Sequence, residues 1–194
     1  MALRSVAERA PQLSADFLKL CRQAGLVGRG RKWISLDRLW SEVHLRSEFK
    51  EITVGYLQLL LEGASPERTI IVTPDTMSTS FGATPVVFLA AEQLGYPVAV
   101  WQEMGDVVSQ KSTLIGTLRG GLDCFVLQDV VRHGTIVVDV VGCLKSRQWR
   151  LAGYACFVLN CQGKMALDVL FEDYRRRMGS ELELDYLAGI DDIG

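Results

Sequence analysis

The 194 residues carry 48% hydrophobic and 23% charged side chains, which is the composition of an ordinary soluble globular domain with enough apolar surface to build a core. The net charge of −2 lacks the basic excess of a dedicated nucleic-acid-binding protein, so nucleic acid is not the expected partner. No apolar stretch reaches the roughly 18 residues that a membrane span requires, and we expect a soluble, cytoplasmic protein.

The first sixty residues predict two helices joined by a basic loop. In Ser14–Gly25 the apolar residues recur on one helical face and a glycine ends the pattern. Glu51–Leu61 has a second apolar face and ends in a turn cluster. Between them, VGRGRKWISLDRL reads as a basic glycine loop that leads into a strand-like run. Gly28–Trp33 in this loop could contact phosphate or RNA, although a solvated connector is favoured because the patch is short.

The middle of the chain alternates between short strands and helices. Thr69–Thr73 is a β-branched run of the kind that forms buried parallel strands. The alternation predicts an α/β fold with a central, mostly parallel sheet flanked by helices. The predicted strands are Thr69–Thr73, Pro97–Trp101, Cys124–Leu127 and Ala152–Leu159, and the predicted helices are Gly82–Leu94 and Ile136–Leu144.

The five cysteines follow no metal-binding or redox motif. No CxxC pair occurs and only two histidines could act as further ligands, so a zinc site is not expected. Cys124 and Cys156 stand inside apolar runs. We therefore expect buried, reduced thiols, as in a cytosolic protein.

Composition also suggests where the chain divides. We assign residues 1–64 to an N-terminal helical segment, residues 65–164 to the α/β core, and residues 165–194 to a terminal helix with an acidic tail. The tail from Glu181 to Gly194 mixes acidic and apolar residues. We interpret it as a frayed or surface-packed terminus, with docking of a partner protein as the alternative.

The strongest functional signal is Val126–Val138, VLQDVVRHGTIVV. It reads as a strand, a tight loop with a Gly-Thr pair and the start of a helix, an arrangement whose backbone N–H groups can bind phosphate. The alternative is a simple strand-to-helix turn capped by Thr135, and His133 has no identifiable catalytic partner. The candidate phosphate- and ribose-binding residues are Asp129, Arg132, His133, Gly134 and Thr135.

The order of these motifs resembles the type I phosphoribosyltransferases, and most of all orotate phosphoribosyltransferase. Gln128–Thr135 (QDVVRHGT) stands in the frame of the family's D-D-V-I-T-A-G-T segment, and Leu151–Gly153 resembles its next strand start at matching distance. Leu114–Gly116 resembles the L-V-G after the family's mobile catalytic loop, and Thr73-Pro74 the G-P of its pyrophosphate loop. The resemblance covers residues 14–164.

This resemblance implies a type I phosphoribosyltransferase fold with a small N-terminal hood subdomain, and a dimer. In the family, two acidic residues of the motif hold the ribose hydroxyls of phosphoribosyl pyrophosphate (PRPP), with Mg²⁺ nearby. The loop before the helix cradles the 5′-phosphate, and basic residues on mobile loops neutralise the leaving pyrophosphate.

The sequence departs from the family where catalysis needs charge. Gln128 replaces the first acid of the pair, and Asn160 stands where the family has its orotate-binding arginine. Gln102–Val108, aligned with the mobile loop, contains no basic residue, and Pro74–Ser80, aligned with the pyrophosphate loop, has an acid and no base. Acids in place of cations would remove several kcal/mol of transition-state stabilisation in a shielded site.

We therefore predict a catalytically degenerate phosphoribosyltransferase-like protein that serves as a protein-interaction or regulatory module and binds at most a ribose phosphate. No resident cofactor is expected, and Mg²⁺ only if PRPP binding is retained. One alternative is an active enzyme that transfers phosphoribosyl from PRPP to a pyrimidine-type base, with Lys111 and Arg119 replacing the lost cations. Another is an RNA-binding regulator, against which the modest charge argues.

The segment aligned with the mobile loop also gains apolar residues. Met104, Val107 and Val108 have no use in a solvated catalytic loop, whereas each would contribute roughly 1.5–3 kcal/mol if buried against another surface. We predict that this loop packs on a protein partner or a dimer mate. The alternative is that the three side chains fold back onto the chain's own core.

Overall fold

In the part of the chain that the structure describes, a mostly parallel sheet of seven strands forms the centre. The computed structural model describes residues 2–26, 35–75, 82–102, 113–115, 121–132, 135–160, 164–179 and 181–193. The strands are β1 (Ala2–Ser5), β2 (Thr69–Asp75), β3 (Val98–Gln102), β4 (Thr113–Ile115), β5 (Asp123–Val131), β6 (Arg150–Leu159) and β7 (Glu183–Gly189). Their order is β1-β7-β6-β5-β2-β3-β4, and of the strand pairs formed by the described residues only β3–β4 is antiparallel. The predicted α/β class is confirmed.

Helices cover both faces of this sheet. They are α1 (Val6–Arg9), α2 (Pro11–Gln23), α3 (Asp37–Ser41), α4 (Val43–Leu60), α5 (Thr84–Leu94), α6 (Thr135–Ser146), α7 (Lys164–Met178) and α8 (Ile190–Ile193). Neighbouring residues of β5 show the two faces, because Leu127 belongs to the hydrophobic cluster under α2, α4 and α5, whereas Val126 belongs to the cluster under α6 and α7.

Residues 1–64, which the resemblance assigns to a hood, contribute the first four helices and pack on the sheet. Phe17 of α2 and Phe49 of α4 meet Phe157 of β6 with ring centroids 5.8 and 5.4 Å apart. The strand-like run predicted after the basic loop is wrong, since Asp37–Ser41 is a helix. The hydroxyl of Ser35 accepts the N–H of Asp37 at 3.3 Å, a local turn that favours helix initiation over a strand.

The C-terminal tail corrects a further prediction. Instead of fraying or packing on the surface, it forms β7 between β1 and β6. Leu182, Leu184 and Leu187 are almost fully buried, and two of them alternate with acids in the two-residue period of a strand. Arg4 pairs with Glu183 at 2.7 Å across the β1–β7 edge. The apolar side chains of the tail thus serve the chain's own core rather than a partner.

Two further predictions concern membrane spans and the burial of the cysteines. None of the helices described is both long and apolar enough to cross a membrane. Cys21, Cys124 and Cys156 are buried, as predicted, whereas Cys143 is only partly buried and Cys161 lies outside the described residues. Burial raises the pKa of the Cys21 and Cys124 thiols to about 12, so neither is a ready nucleophile.

One strained turn ends α6 and yields a stability prediction. The N–H of Trp149 donates to the carbonyl of Leu144 at 3.1 Å and that of Gln148 to Lys145 at 3.0 Å, which is the hydrogen-bond pattern of a Schellman cap. Gln148 must therefore adopt a left-handed conformation, with φ of 58°, that favours glycine.

We expect Gln148→Gly to raise the free energy of unfolding by about 0.5–1 kcal/mol, because glycine takes this conformation without a Cβ penalty. Urea denaturation measures the change. The matched control is Gln93→Gly on the exposed side of α5, which should lower stability by about 1 kcal/mol. Equal destabilisation by both changes would contradict the strain assigned to Gln148.

Candidate functional site

The carboxyl ends of β2 and β5 meet the starts of α5 and α6 at one edge of the sheet. β5 ends at Val131 and α6 begins at Thr135, so the predicted strand followed by a helix is confirmed, and His133 and Gly134 between them lie outside the described residues. Arg132 follows the strand directly and is half-buried. The 12-residue helix α6 directs its positive end at this turn, which favours an anion.

Asp129 lies near the end of β5, and its carboxyl group packs against the backbone of Val130 and Gly82. Its Oδ1 accepts the N–H of Val130 at 2.7 Å, and a Cβ added to Gly82 would lie only 2.5 Å from its Oδ2. The residue as a whole is half-buried, but the carboxyl group is desolvated. This burial, followed by the charges of Asp37 and Asp75, raises its pKa to about 6, while the backbone hydrogen bonds oppose the rise.

Asp37, the first residue of α3, brings a second carboxylate to the same place. Its Oδ1 accepts the N–H of Gly82 at 2.7 Å and its Oδ2 accepts the hydroxyl of Ser35 at 2.6 Å. The N-terminal segment therefore holds the turn that leads into α5. Gly82 lies between two carboxyl groups, and its φ of 51° together with the contact to Asp129 leaves no room for a side chain.

Asp75 supplies the third acid at the end of β2. The amide of Gln102, at the end of β3, lies 3.4 Å from its Oδ2 and can donate to it. Thr73 and Thr84 approach one another at 3.5 Å between their hydroxyl oxygens, joining β2 to the start of α5. Within the described residues, this edge of the sheet is therefore acidic. We call the three carboxyl groups of Asp37, Asp75 and Asp129 the acidic rim.

Gln128, aligned with the first acid of the family pair, faces the other side of the sheet. It is only 2% exposed. The hydroxyl of Tyr154 donates to its Oε1 at 2.6 Å, and its Nε2 donates to the carbonyl of Val130 at 2.9 Å. Consecutive residues of a strand point to opposite faces, so Gln128 and Asp129 do not form a pair. The interpretation of Gln128 as a ribose contact that has lost its charge is therefore wrong.

Asn160, aligned with the orotate-binding arginine, follows β6 and is 2% exposed. Its backbone N–H donates to the carbonyl of Val131 at 2.8 Å, which ties the end of β6 to the end of β5. The side chain is thus enclosed beside the turn rather than displayed at the rim.

Other candidates lie outside the residues that the structure describes. They are Gly28–Trp33, Met104, Val107, Val108, Lys111, Arg119, His133 and Gly134, together with the side chain of Thr135.

A metal ion does not fit the acids as they stand. Both carboxyl oxygens of Asp37 and the Oδ1 of Asp129 are engaged by N–H or O–H donors, whereas Mg²⁺ needs free oxygen ligands. Within the described ranges, no group of three or more His, Cys, Asp or Glu side chains is placed to hold a metal ion.

The sequence does not identify Asp37 or Gly82 as a site residue. The Ser35–Asp37 turn is local and readable, but the hydrogen bond from Gly82 to Asp37 spans 45 residues. Nothing in a single sequence reports a contact at that separation. The third acid, Asp75, is the acid of the segment aligned with the pyrophosphate loop, and the structure places it near enough to Asp129 for its charge to help raise the pKa of that carboxyl group.

Comparison with known proteins gives likeness in fold alone. No protein-family profile matches the sequence, and no curated protein matches it. Orotate phosphoribosyltransferase from Aeropyrum pernix superposes with a TM-score of 0.68 at 17% identity, over 91% of this chain and 95% of that chain. The Mycobacterium tuberculosis H37Rv orotate enzyme in complex with PRPP gives 0.59 at 15% identity, over 93% and 92%. Adenine phosphoribosyltransferase from Thermoanaerobacter pseudethanolicus gives 0.56 at 14% identity, over 88% and 99%.

Proposed function

We propose that this chain, which has the type I phosphoribosyltransferase fold, binds a ribose phosphate without transferring it and acts as a regulatory or protein-interaction module. The observation that carries the proposal is the convergence of Asp37, Asp75 and Asp129 at the strand ends. A similar fold binds PRPP in the M. tuberculosis enzyme, and PRPP carries a diphosphate that this acidic rim would repel.

The contact between Asp37 and Gly82 also supports loss of transfer. The segment between β2 and α5 is the one that resembles the family's pyrophosphate loop. Backbone N–H groups in such a loop bind anions, and here the N–H of Gly82 already has a carboxylate acceptor at 2.7 Å. A diphosphate would have to displace that carboxylate and then lie beside it.

The turn before α6 keeps the features that suit a single phosphate. The helix start provides N–H donors, and Arg132 lies directly before them. A protonated Asp129 could donate to a ribose oxygen, and an ionised one could accept a ribose hydroxyl. Magnesium is needed only if PRPP is bound, since a lone phosphate can be neutralised by arginine and the helix.

Calorimetric titration with ribose 5-phosphate and with PRPP, each with and without Mg²⁺, tests this proposal. We expect ribose 5-phosphate to bind at least as tightly as PRPP, because the acidic rim disfavours the additional negative charge of the diphosphate. We expect Mg²⁺ to add little, because both carboxyl oxygens of Asp37 and the Oδ1 of Asp129 already accept hydrogen bonds. Arg132→Gln should weaken binding of ribose 5-phosphate roughly tenfold by removing a charge-assisted hydrogen bond. The matched control is Arg147→Gln at the opposite end of α6, which should leave binding unchanged.

The alternative, an active enzyme acting on a pyrimidine-type base, predicts a different outcome. PRPP with Mg²⁺ would then bind at least roughly tenfold tighter than ribose 5-phosphate. Orotate consumption, followed by absorbance, would also be abolished by Asp129→Asn. Either result would overturn the proposal.

The interaction part of the proposal rests on the apolar side chains of Met104, Val107 and Val108. We expect Val107→Asp plus Val108→Asp to abolish self-association or partner capture, measured by light scattering and pull-down, and to leave the melting temperature nearly unchanged. Val43→Asp is the matched control, because Val43 is 77% exposed. A double variant that still associates and melts much lower would assign the loop to the core.

A further inference from the structure

The backbone of Gly82 and Ala83, which we call the Gly82 turn, precedes α5 directly. The φ of Gly82 is 51°, in the left-handed region, whereas Ala83 is right-handed with φ of −90° and ψ of −1°. Successive residues of opposite hand turn their N–H groups toward one side, an arrangement that favours anions. Ala83 is the N-cap residue of α5 and carries no oxygen that could cap the helix. The N–H groups at this helix start therefore depend on an acceptor from elsewhere.

Asp37 supplies that acceptor from 45 residues away in the sequence. Its Oδ1 accepts the N–H of Gly82 at 2.7 Å. Its Oδ2 accepts the hydroxyl of Ser35 at 2.6 Å, and that hydroxyl oxygen in turn accepts the N–H of Asp37 at 3.3 Å. Hydrogen bonds from N–H and O–H donors to a carboxylate are charge-assisted and stronger than neutral ones. The Gly82 turn is thus occupied by an anion that belongs to the chain itself.

The other two acids of the acidic rim do not take this donor. Asp129 lies against Gly82, but its Oδ1 accepts the N–H of Val130 at 2.7 Å. Asp75 is approached by the amide of Gln102 at 3.4 Å. Both would act on a diphosphate by repulsion, which salt and solvent weaken. Among the described residues, Asp37 is the acid that also occupies a backbone donor of the segment between β2 and α5.

We infer that Asp37 is a specificity-determining residue, which excludes diphosphate esters by occupying the N–H of Gly82 and not by its charge alone. The inference rests on the proposed function, in which a ribose phosphate binds at the turn before α6. Asp37 holds the turn before α5, so a monophosphate at α6 does not compete with it. A diphosphate on C1 of the ribose would compete with a tethered carboxylate, whose effective concentration is high.

Removal of the carboxylate tests the inference. Inorganic pyrophosphate, PRPP and ribose 5-phosphate are titrated into the full chain and into two variants of Asp37, and binding is followed by calorimetry. Asp37→Ala empties the Gly82 turn and should raise the affinity for PRPP relative to ribose 5-phosphate at least roughly tenfold. Asp37→Asn removes the same charge but keeps an oxygen that accepts the N–H, so the ratio should rise by no more than roughly threefold.

Two further variants separate occupancy of the turn from charge. Asp75→Asn removes a charge from the acidic rim and leaves the acceptor of Gly82 in place, so the affinity ratio should change by less than roughly threefold. Ser35→Ala keeps the charge of Asp37 but removes the hydroxyl that holds its Oδ2. We expect it to shift the ratio in the same direction as Asp37→Ala, by a smaller factor. Ser35 is exposed, so this variant should fold even if Asp37→Ala does not.

The amide resonance of Gly82 shows where pyrophosphate binds. It should move when inorganic pyrophosphate is added to Asp37→Ala, and it should stay in place in the wild type. Pyrophosphate contains no ribose, so this measurement tests Asp37 even if the wild type fails to bind ribose 5-phosphate and the proposed function is wrong.

Two results would overturn the inference. Equal shifts of the affinity ratio in Asp37→Ala, Asp37→Asn and Asp75→Asn would show that charge alone excludes the diphosphate. A lower melting temperature of Asp37→Ala, with no binding of pyrophosphate, would show that Asp37 only caps α5.

Discussion

Asp129→Asn is expected to stabilise the protein at pH 7.5 and to leave its stability near pH 3.5 almost unchanged. The carboxyl group of Asp129 has a pKa of about 6 in the folded chain, chiefly because it is buried, and about 3.9 in an unfolded chain. Between these values the folded state binds more protons than the unfolded state. Stability therefore falls as the pH rises through this window, and the loss is complete above it.

The size of the effect follows from the same two values. A difference of about two pH units corresponds to at most about 3 kcal/mol, and solvent relaxation around a half-buried residue makes this an upper bound. Asparagine stays neutral at every pH and can still accept the N–H of Val130. For a chain of this length, 1 kcal/mol shifts the melting temperature by roughly 2–4 °C. Thermal melts at intervals from pH 3.5 to 8 would show the wild-type curve falling and the variant curve staying flatter.

A matched carboxylate change isolates this effect. Asp168→Asn removes an exposed carboxylate from α7 and should leave the shape of the pH profile intact. Asp185 also has a raised pKa from burial, so some decline will remain in the Asp129→Asn curve. Parallel curves for wild type and Asp129→Asn would show that Asp129 ionises freely in the folded state, contrary to its geometry.

Retention of this acid has a functional implication. A buried carboxyl group that destabilises the chain near neutral pH is more readily explained by a ligand than by folding, because asparagine would serve the fold better. Ribose hydroxyls would supply further hydrogen-bond donors to the carboxylate, in addition to the N–H of Val130. Ribose 5-phosphate should therefore stabilise the wild type more than Asp129→Asn.

The inner strands could be predicted from the sequence because their patterns are local. β2 and β3 are short apolar runs, β-branched in β2, bounded by turn residues, and each was placed within two residues of its observed ends. For β5, the predicted Cys124–Leu127 stops four residues early, because Gln128 and Asp129 read as loop residues. In the folded chain Gln128 contacts Tyr154 on one face of the sheet, and Asp129 contacts Gly82 on the other. Neither contact can be read from the residues that neighbour it in the sequence.

Long-range pairing explains the remaining errors. β7 joins β1 across most of the chain, and Ala2 pairs with Glu183. Leucine and acidic residues visibly alternate in the tail. Whether such a segment joins a sheet depends, however, on strand edges formed by residues far away in the sequence. In the same way, Asp37 belongs to the site only because the chain folds so that the start of α3 contacts Gly82, just before α5.

Gln128→Glu tests the meaning of the family motif most directly. A simple reading of the resemblance holds that restoring an acid here would restore a ribose contact. The structure predicts the opposite, because Gln128 is 2% exposed on the other face of the sheet. We expect no gain in affinity for ribose 5-phosphate or PRPP, and a protein that is less stable by about 2–4 kcal/mol at pH 8.

The destabilisation has a specific cause and a specific pH dependence. The Nε2 of Gln128 donates to the carbonyl of Val130 at 2.9 Å, and an ionised glutamate would place a negative oxygen against that carbonyl. Burial should raise the pKa of the new carboxyl group above its usual value near 4.3, so stability is lost as the pH rises and recovers as it falls toward 5. The protonated form can donate to Val130 and accept from Tyr154, as the glutamine does.

Two further variants separate this contact from a general intolerance of the position. Tyr154→Phe leaves the Oε1 of Gln128 buried without its 2.6 Å donor and should lower stability by about 1–3 kcal/mol at every pH. Gln93→Glu adds an acid to the exposed side of α5 and should change little. If Gln128→Glu were as stable as the wild type at pH 8 and bound ribose 5-phosphate more tightly, the side chain would have to face the rim, and the pairing of Gln128 with Tyr154 would be wrong.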